Sequence, residues 1–152
     1  MATKYSDFYR TDLTGIPKQQ GSSTILGGTY EIASALSAND LIYMVQIPAG
    51  FELWDGWLIC DDIDTGTATL ELDVGTAASS AFFIDSGVLN GSAVTNYLPV
   101  AQIRIPFAVA SLPYKPTTAT DIIVKITAAA NAGGTGTVNL YVMGNYNPPS
   151  RA

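Results

Sequence analysis

Histidine is absent from the 152 residues, and cysteine occurs once, as Cys60. Without imidazole the chain lacks the commonest general acid/base, the base of Ser-His and Cys-His nucleophile pairs, and the commonest metal ligand. One thiol makes no internal disulfide and no two-cysteine redox motif, so Cys60 reads as a small buried hydrophobe. Charge is scarce as well: 13% of residues are charged, where an average globular protein has about 25%. Seven basic residues face 13 acidic ones, for a net charge of -6. With no run of Lys or Arg, this balance argues against a nucleic-acid partner, because affinity for phosphate backbones comes from basic side chains displacing counterions. No apolar stretch approaches the ~18 residues of a membrane span. The first ten residues (MATKYSDFYR) place charges and aromatics where a signal peptide carries an apolar core of ~7 to 15 residues. The expectation is a soluble protein made in the cytoplasm, with no membrane partner, no cofactor and no enzymatic activity.

What is abundant is Ala, Thr, Ser and Gly among short alternating apolar runs. The length suits one domain of about 100 to 200 residues with a single core. Residues 1–28 show neither a period of 2 nor of 3.6 and are broken by Pro17 and glycines, so they read as an extended N-terminal arm. Residues 29–147 read as a β-sandwich domain and 148–152 as a short tail. The cleanest alternation is 67–75 (TATLELDVG), with Leu70, Leu72 and Val74 on one face and Glu71 and Asp73 on the other. Residues 121–127 and 137–143 repeat it, but Ile123, Tyr141 and Met143 leave apolar groups on the second face as well, which suits contact with another subunit. Residues 41–47 (LIYMVQI) and 51–60 (FELWDGWLIC) are apolar on both faces and are joined by Pro48-Ala49-Gly50, which reads as a central hairpin. Gly56, between two tryptophans read as core, suits a bulge. Weaker strands are expected at 30–36, 81–85 and 102–107. About eight strands without a helical period predict an all-β fold, an antiparallel β-sandwich that is jelly-roll-like.

Few constellations carry chemistry. Asp61, Asp62 and Asp64 precede Gly66, but the acid and glycine that a helix-loop-helix calcium site needs at its fifth and sixth positions are missing. These aspartates are expected to bond the local backbone of a hairpin loop in which Thr65-Gly66 makes the turn. Gly133-Gly134-Thr135-Gly136 precedes a strand, opens no helix and is followed by no Gly-Lys-Ser/Thr, so it reads as a hairpin loop. Trp54, Trp57, Tyr97, Tyr114, Tyr141 and Tyr146 could form a platform for sugar rings.

The arm, the Pro-Ala-Gly turn at 47–50, the acids at Asp61 and Asp62, the alternating DTGTATLELDVG of 64–75 and the Asp-Ile-Ile-Val strand from Asp121 together resemble small structural proteins of tailed bacteriophages, the capsid decoration or cement proteins of the head. Where many members carry an aspartate-rich stretch, this chain has TAASSA at 76–81. The resemblance implies a β-sandwich on the capsid exterior of the virion, a homo-oligomer, as a rule a trimer, clamping the major capsid protein. On that basis Tyr5, Phe8, Tyr9, Leu13 and Ile16 of the arm, and Tyr97 and Tyr114 on loops, are the expected contacts with the capsid or a neighbouring subunit. The alternative expectation is a tail- or fibre-associated module that binds a receptor or carbohydrate.

Overall fold

Alternating side chains pair in strands because one face can then be buried while every backbone N–H and C=O stays bonded. The computed structural model describes residues 1–7, 23–61, 63–64, 69–88, 102–131 and 135–146. Among them are β1 (Thr3–Tyr5), β2 (Ser23–Ile32), β3 (Leu41–Ile47), β4 (Phe51–Asp61), β5 (Glu71–Thr76), β6 (Ser79–Val88), β7 (Gln102–Pro106), β8 (Thr120–Ala128) and β9 (Gly136–Tyr146). The described residues contain no α-helix, only a 3-10 turn at Val109–Ser111.

The strands form a four-stranded sheet, β2-β9-β4-β7, and a five-stranded sheet, β1-β3-β8-β5-β6. Strands β2 to β9 pass back and forth between the sheets, and only β5 and β6 are sequential neighbours within one. That order makes the sandwich a jelly roll. Strand β1 is added outside it, parallel to β3.

This topology corrects the hairpin expected at 41–60. Strand β3 pairs with β8 and β4 with β9, so Pro48-Ala49-Gly50 carries the chain across the sandwich, with Gly50 at φ 79°. The connections from β4 to β5, expected as a hairpin loop at the aspartates, and from β8 to β9 likewise join different sheets and are no hairpins. Residues 23–28, read as arm, are the first half of β2, which ends at Ile32 rather than Leu36. The two glycines that suggested a break are there for close approach. A Cβ on Gly28 would lie 2.1 Å from the Met44 carbonyl oxygen of the opposite sheet.

The core is filled by inward-facing residues of both sheets. Phe51, Leu53, Leu58, Leu140 and Val142 meet Ile42, Leu72, Val74, Val124 and Ile126, all at 0% exposure. At one end Phe83 of β6 stacks on Phe107 with ring centroids 4.5 Å apart. Cys60 is buried, as its composition suggested. Asp64 bonds its own loop as expected: one carboxylate oxygen accepts from the Thr69 and Leu70 amides at 2.8 and 2.9 Å. Those amides are thereby diverted, and β5 begins at Glu71, four residues later than the alternation implied. Asp61 accepts from the Thr137 amide at 2.8 Å, and Asp62 lies outside the described residues.

One register shift in β4 decides which side chains face outward. Leu53 pairs with Gly144 and Asp55 with Met143 of β9, so Trp54 is an extra residue without a partner. In a regular strand Trp54 and Trp57, three apart, would face opposite ways. The bulge resets the parity. Phe51 and Leu53 before it and Gly56, Leu58 and Cys60 after it are all buried, while both tryptophans keep solvent contact. Gly56 is not the bulge; it faces the core, where a Cβ would sit 2.4 Å from the Phe107 ring.

The amino-terminal strand is held by a buried acid. Asp40, 5% exposed, accepts from the Ala2 amide at 2.8 Å and the Ser37 amide at 3.1 Å and pairs with Lys4 at 3.8 Å. Burial alone would raise its pKa, but the two amides and the nearby positive charges outweigh it, and the net pKa falls below the ordinary 3.8. A carboxyl lowered by folding stabilises the fold above its ordinary pKa and loses that contribution as pH falls through the folded value. Amide-exchange protection of Thr3–Tyr5 should therefore hold at neutral pH and decline below pH 3.8, ahead of that of β8. An Asp40→Asn variant should show reduced protection at neutral pH and converge with the wild type once the wild-type carboxyl is protonated. Protection of β1 that ignores both pH and the substitution would contradict this anchor.

Candidate interaction surface

The outward face of the four-stranded sheet carries exposed apolar side chains, Ile25 and Trp54 among them. Its residues align in rows across the ladder. Gly27, Tyr141, Trp57 and Pro106 form one row; Ile25, Met143 and Asp55 form the row beside it. On the other side lie Thr29, Asn139, Ile59 and Arg104. The face is apolar in its middle rows and polar on both sides. Beyond Ile25 lie Ser23, Asn145 and Glu52; on the other side the Thr29 hydroxyl bonds Asn139 at 2.7 Å, and Glu31 accepts from the Thr137 hydroxyl at 2.8 Å.

Local packing fixes the aromatic rings of this face. Tyr141 lies across Gly27, where a Cβ would come within 3.0 Å of the ring. Its ring centroid is 5.9 Å from that of Trp57, and the Arg104 guanidinium sits 5.0 Å from the Trp57 centroid. A cation over an indole face is favourable because the ring quadrupole is negative there. Ile25 remains 60% exposed, and Trp54, lifted by the bulge, 39%. Next to Trp54 the chain after β7 adds Val109, 86% exposed on the 3-10 turn. Between them lies a cleft of about 660 Å³ lined by Trp54, Met143, Pro106 and Val109, with Glu52 and Asp55 as its acidic residues.

The expected contact residues fall elsewhere or outside the description. Tyr5 is 55% exposed on β1, its ring 5.2 Å from that of Tyr43, at the edge of the other sheet. Tyr114 anchors its loop. Its backbone exchanges hydrogen bonds of 2.8 and 2.9 Å with Leu53, and its ring lies 5.2 Å from Phe82 and 5.4 Å from Phe83. Phe8, Tyr9, Leu13, Ile16 and Tyr97 are outside the described residues. Tyr141 and Met143 do lie on an outward face, as the double-sided pattern of their strand indicated, whereas Ile123 is 3% exposed, beside Ala77 and Ala78 of the β5–β6 turn. Residue pattern alone missed Ile25, hidden by the glycines that followed it, and placed both tryptophans in the core.

These environments make a direct prediction. Tyr114→Ala should lower stability by about 2 kcal/mol, the order expected for truncating a half-buried aromatic ring, whereas Tyr5→Ala should cost under about 1 kcal/mol. Urea midpoints measure both. An unchanged midpoint for Tyr114→Ala would contradict its part in anchoring the loop.

No protein-family profile matches the chain, and no curated protein matches it by sequence. Solved structures do match. In the capsid of Ralstonia phage GP4, a chain superposes with a TM-score of 0.71 at 23% identity, covering 97% of this chain and 100% of that one. A chain of the cyanophage Pam1 capsid asymmetric unit gives 0.69 at 21% identity, over 84% and 87%. One from the acidic stable capsid of Helicobacter pylori bacteriophage KHP30 gives 0.59 at 16%, over 84% and 90%. At such identities the likeness is one of fold: this jelly roll is similar, over most of its length, to chains found in bacteriophage capsids.

Proposed function

We propose that the chain is a structural protein of a bacteriophage virion, a decoration or cement protein that binds the outer surface of the head and stabilises contacts between major capsid subunits. The observation that carries this reading is the end-to-end likeness to a chain of the Ralstonia phage GP4 capsid. The apolar middle rows of the sheet face supply the physical means. Apolar area removed from water contributes about 25 cal/mol per Å², and symmetry-related copies multiply a modest contact into firm attachment. The proposed state on the shell is a homo-oligomer, a trimer by the resemblance. A net charge of -6 disfavours capture by nucleic acid, and the role needs no catalytic group.

The carbohydrate alternative draws less support from the geometry. Trp57 is occupied by Tyr141 and Arg104, Tyr114 by Phe82 and Phe83, and Tyr146 packs against the core. Trp54 is left as the exposed ring of the proposed platform among the described residues.

Co-sedimentation with purified shells of the parent phage tests the proposal. The wild-type protein should saturate the shells, and the Ile25→Glu, Met143→Glu double variant, with unchanged circular dichroism, should lose occupancy by more than about tenfold. Failure of the wild-type protein to bind shells would contradict the function. Full occupancy by the variant would contradict the use of this face.

A further inference from the structure

Trp54 and its acidic neighbours make a cleft with a chemistry that differs from the rest of the sheet face. The indole is held upright by the bulge, and its Nε1–H donates to a Glu52 carboxylate oxygen at 3.3 Å. Asp55 accepts from the Gly56 amide through Oδ1 at 2.8 Å. Among the described residues, each carboxylate thus engages one oxygen. The walls are Met143, Pro106, Val109 and Leu112, and none of the lining residues is basic. The polar equipment is therefore acceptor-only, next to an indole face and aliphatic walls. A sugar ring donates hydroxyls to carboxylates, but its own oxygens also call for donors, and the one side-chain N–H of the lining, the Trp54 indole, is spent on Glu52. A guanidinium meets every feature: it is planar, weakly hydrated, carries five donors and no acceptor, and stacks on indole. On the same strand the chain makes this contact with itself, Arg104 lying 5.0 Å from the Trp57 centroid.

We propose that the Trp54 cleft is a docking site for an arginine side chain of a partner polypeptide, stacked on the indole and paired with Glu52 and Asp55, with an adjacent aliphatic residue against Val109 and Met143. The inference rests on the virion reading for the identity of that partner, which would present a basic and aliphatic segment to this acidic protein; the chemistry of the cleft stands apart from it.

The test uses the full chain labelled with 15N and the two indole Nε1–H resonances as reporters. The probe is the peptide acetyl-Leu-Arg-Leu-amide, with its citrulline counterpart as a neutral isostere. The arginine peptide should shift the Trp54 resonance saturably and leave Trp57 nearly unmoved. The citrulline peptide should bind at least about threefold more weakly, and Glu52→Gln with Asp55→Asn should weaken the arginine peptide by a similar factor. Trp54→Ala, at an exposed bulge position, should retain the fold and abolish binding. Equal affinity for the citrulline peptide overturns the proposal. So does a Trp54 response to methyl β-glucoside without one to arginine, or a shift of Trp54 with protein concentration alone, which would make a second copy the occupant. Shell co-sedimentation separates the two readings. If wild type binds no shells, the virion role fails and the peptide result stands; if Trp54→Ala binds shells as well as wild type, the cleft is not a contact on the shell.

Discussion

The bulge at Trp54 is the constraint on which the rest of the surface depends. Strand β4 must send Phe51 and Leu53 into the core and, further along, Leu58 and Cys60 into the same core. These positions have different parity, since 53 and 58 are an odd number apart, and a regular strand of period 2 would bury one pair and expose the other. One extra residue reconciles them. Its consequence is that Trp54 and Trp57 share the outer face, and that the inward position between them falls to Gly56, where only a hydrogen leaves room for Phe107. Core packing, the stacking of Phe107 on Phe83 and the aromatic outer face therefore trace to a single insertion in one ladder.

A second closure joins the two sheets at the β2 and β3 edge. Strand β1 lies against β3, and from there the Ser6 amide donates to Tyr43 at 2.8 Å while the Asp7 amide donates to Thr29 of the opposite sheet at 2.8 Å. The Ser6 hydroxyl donates to the Met44 carbonyl, next to which Gly28 makes its close approach. An edge that would otherwise present unpaired backbone groups is covered by the chain's own terminus. The outer face of the four-stranded sheet keeps Ile25 and Tyr141 in its middle rows, with Glu52 beyond them on one side and Glu31 on the other.

Much of the fold was legible from the sequence because period 2 is a strong signal where one face is buried. Strands β5, β8 and β9 lie near where alternation placed them, and the sandwich and jelly-roll class followed from strand count and the absence of a helical period. Connectivity was not legible. A Pro-Ala-Gly turn looks the same whether it reverses a strand within a sheet or carries it to the other one, and long-range pairing of β4 with β9 leaves no local trace. Gly27 and Gly28 misled in the same way: they read as breakers, yet one makes room for the Tyr141 ring and the other for a carbonyl across the sandwich. The interaction surface was half legible. Tyr141 and Met143 stood out by apolar residues on both faces of one strand, but a tryptophan in an apolar run reads as core until the bulge is seen. Tyr114 stood out as a loop aromatic, but its packing against Phe82 and Phe83, distant in sequence, left no local trace.

Because both tryptophans of the chain keep solvent contact on this face, tryptophan emission excited beyond the tyrosine band, with that of bare shells subtracted, reports on it, and acrylamide quenching measures directly whether it is the working surface. In the free protein the emission should be red-shifted and readily quenched, and on attachment to phage shells it should move to the blue and become protected. Blue, unquenchable emission from the free folded protein would place the indoles in the core and contradict the bulge parity on which the account rests. Emission that attachment leaves unchanged would show that the partner binds elsewhere.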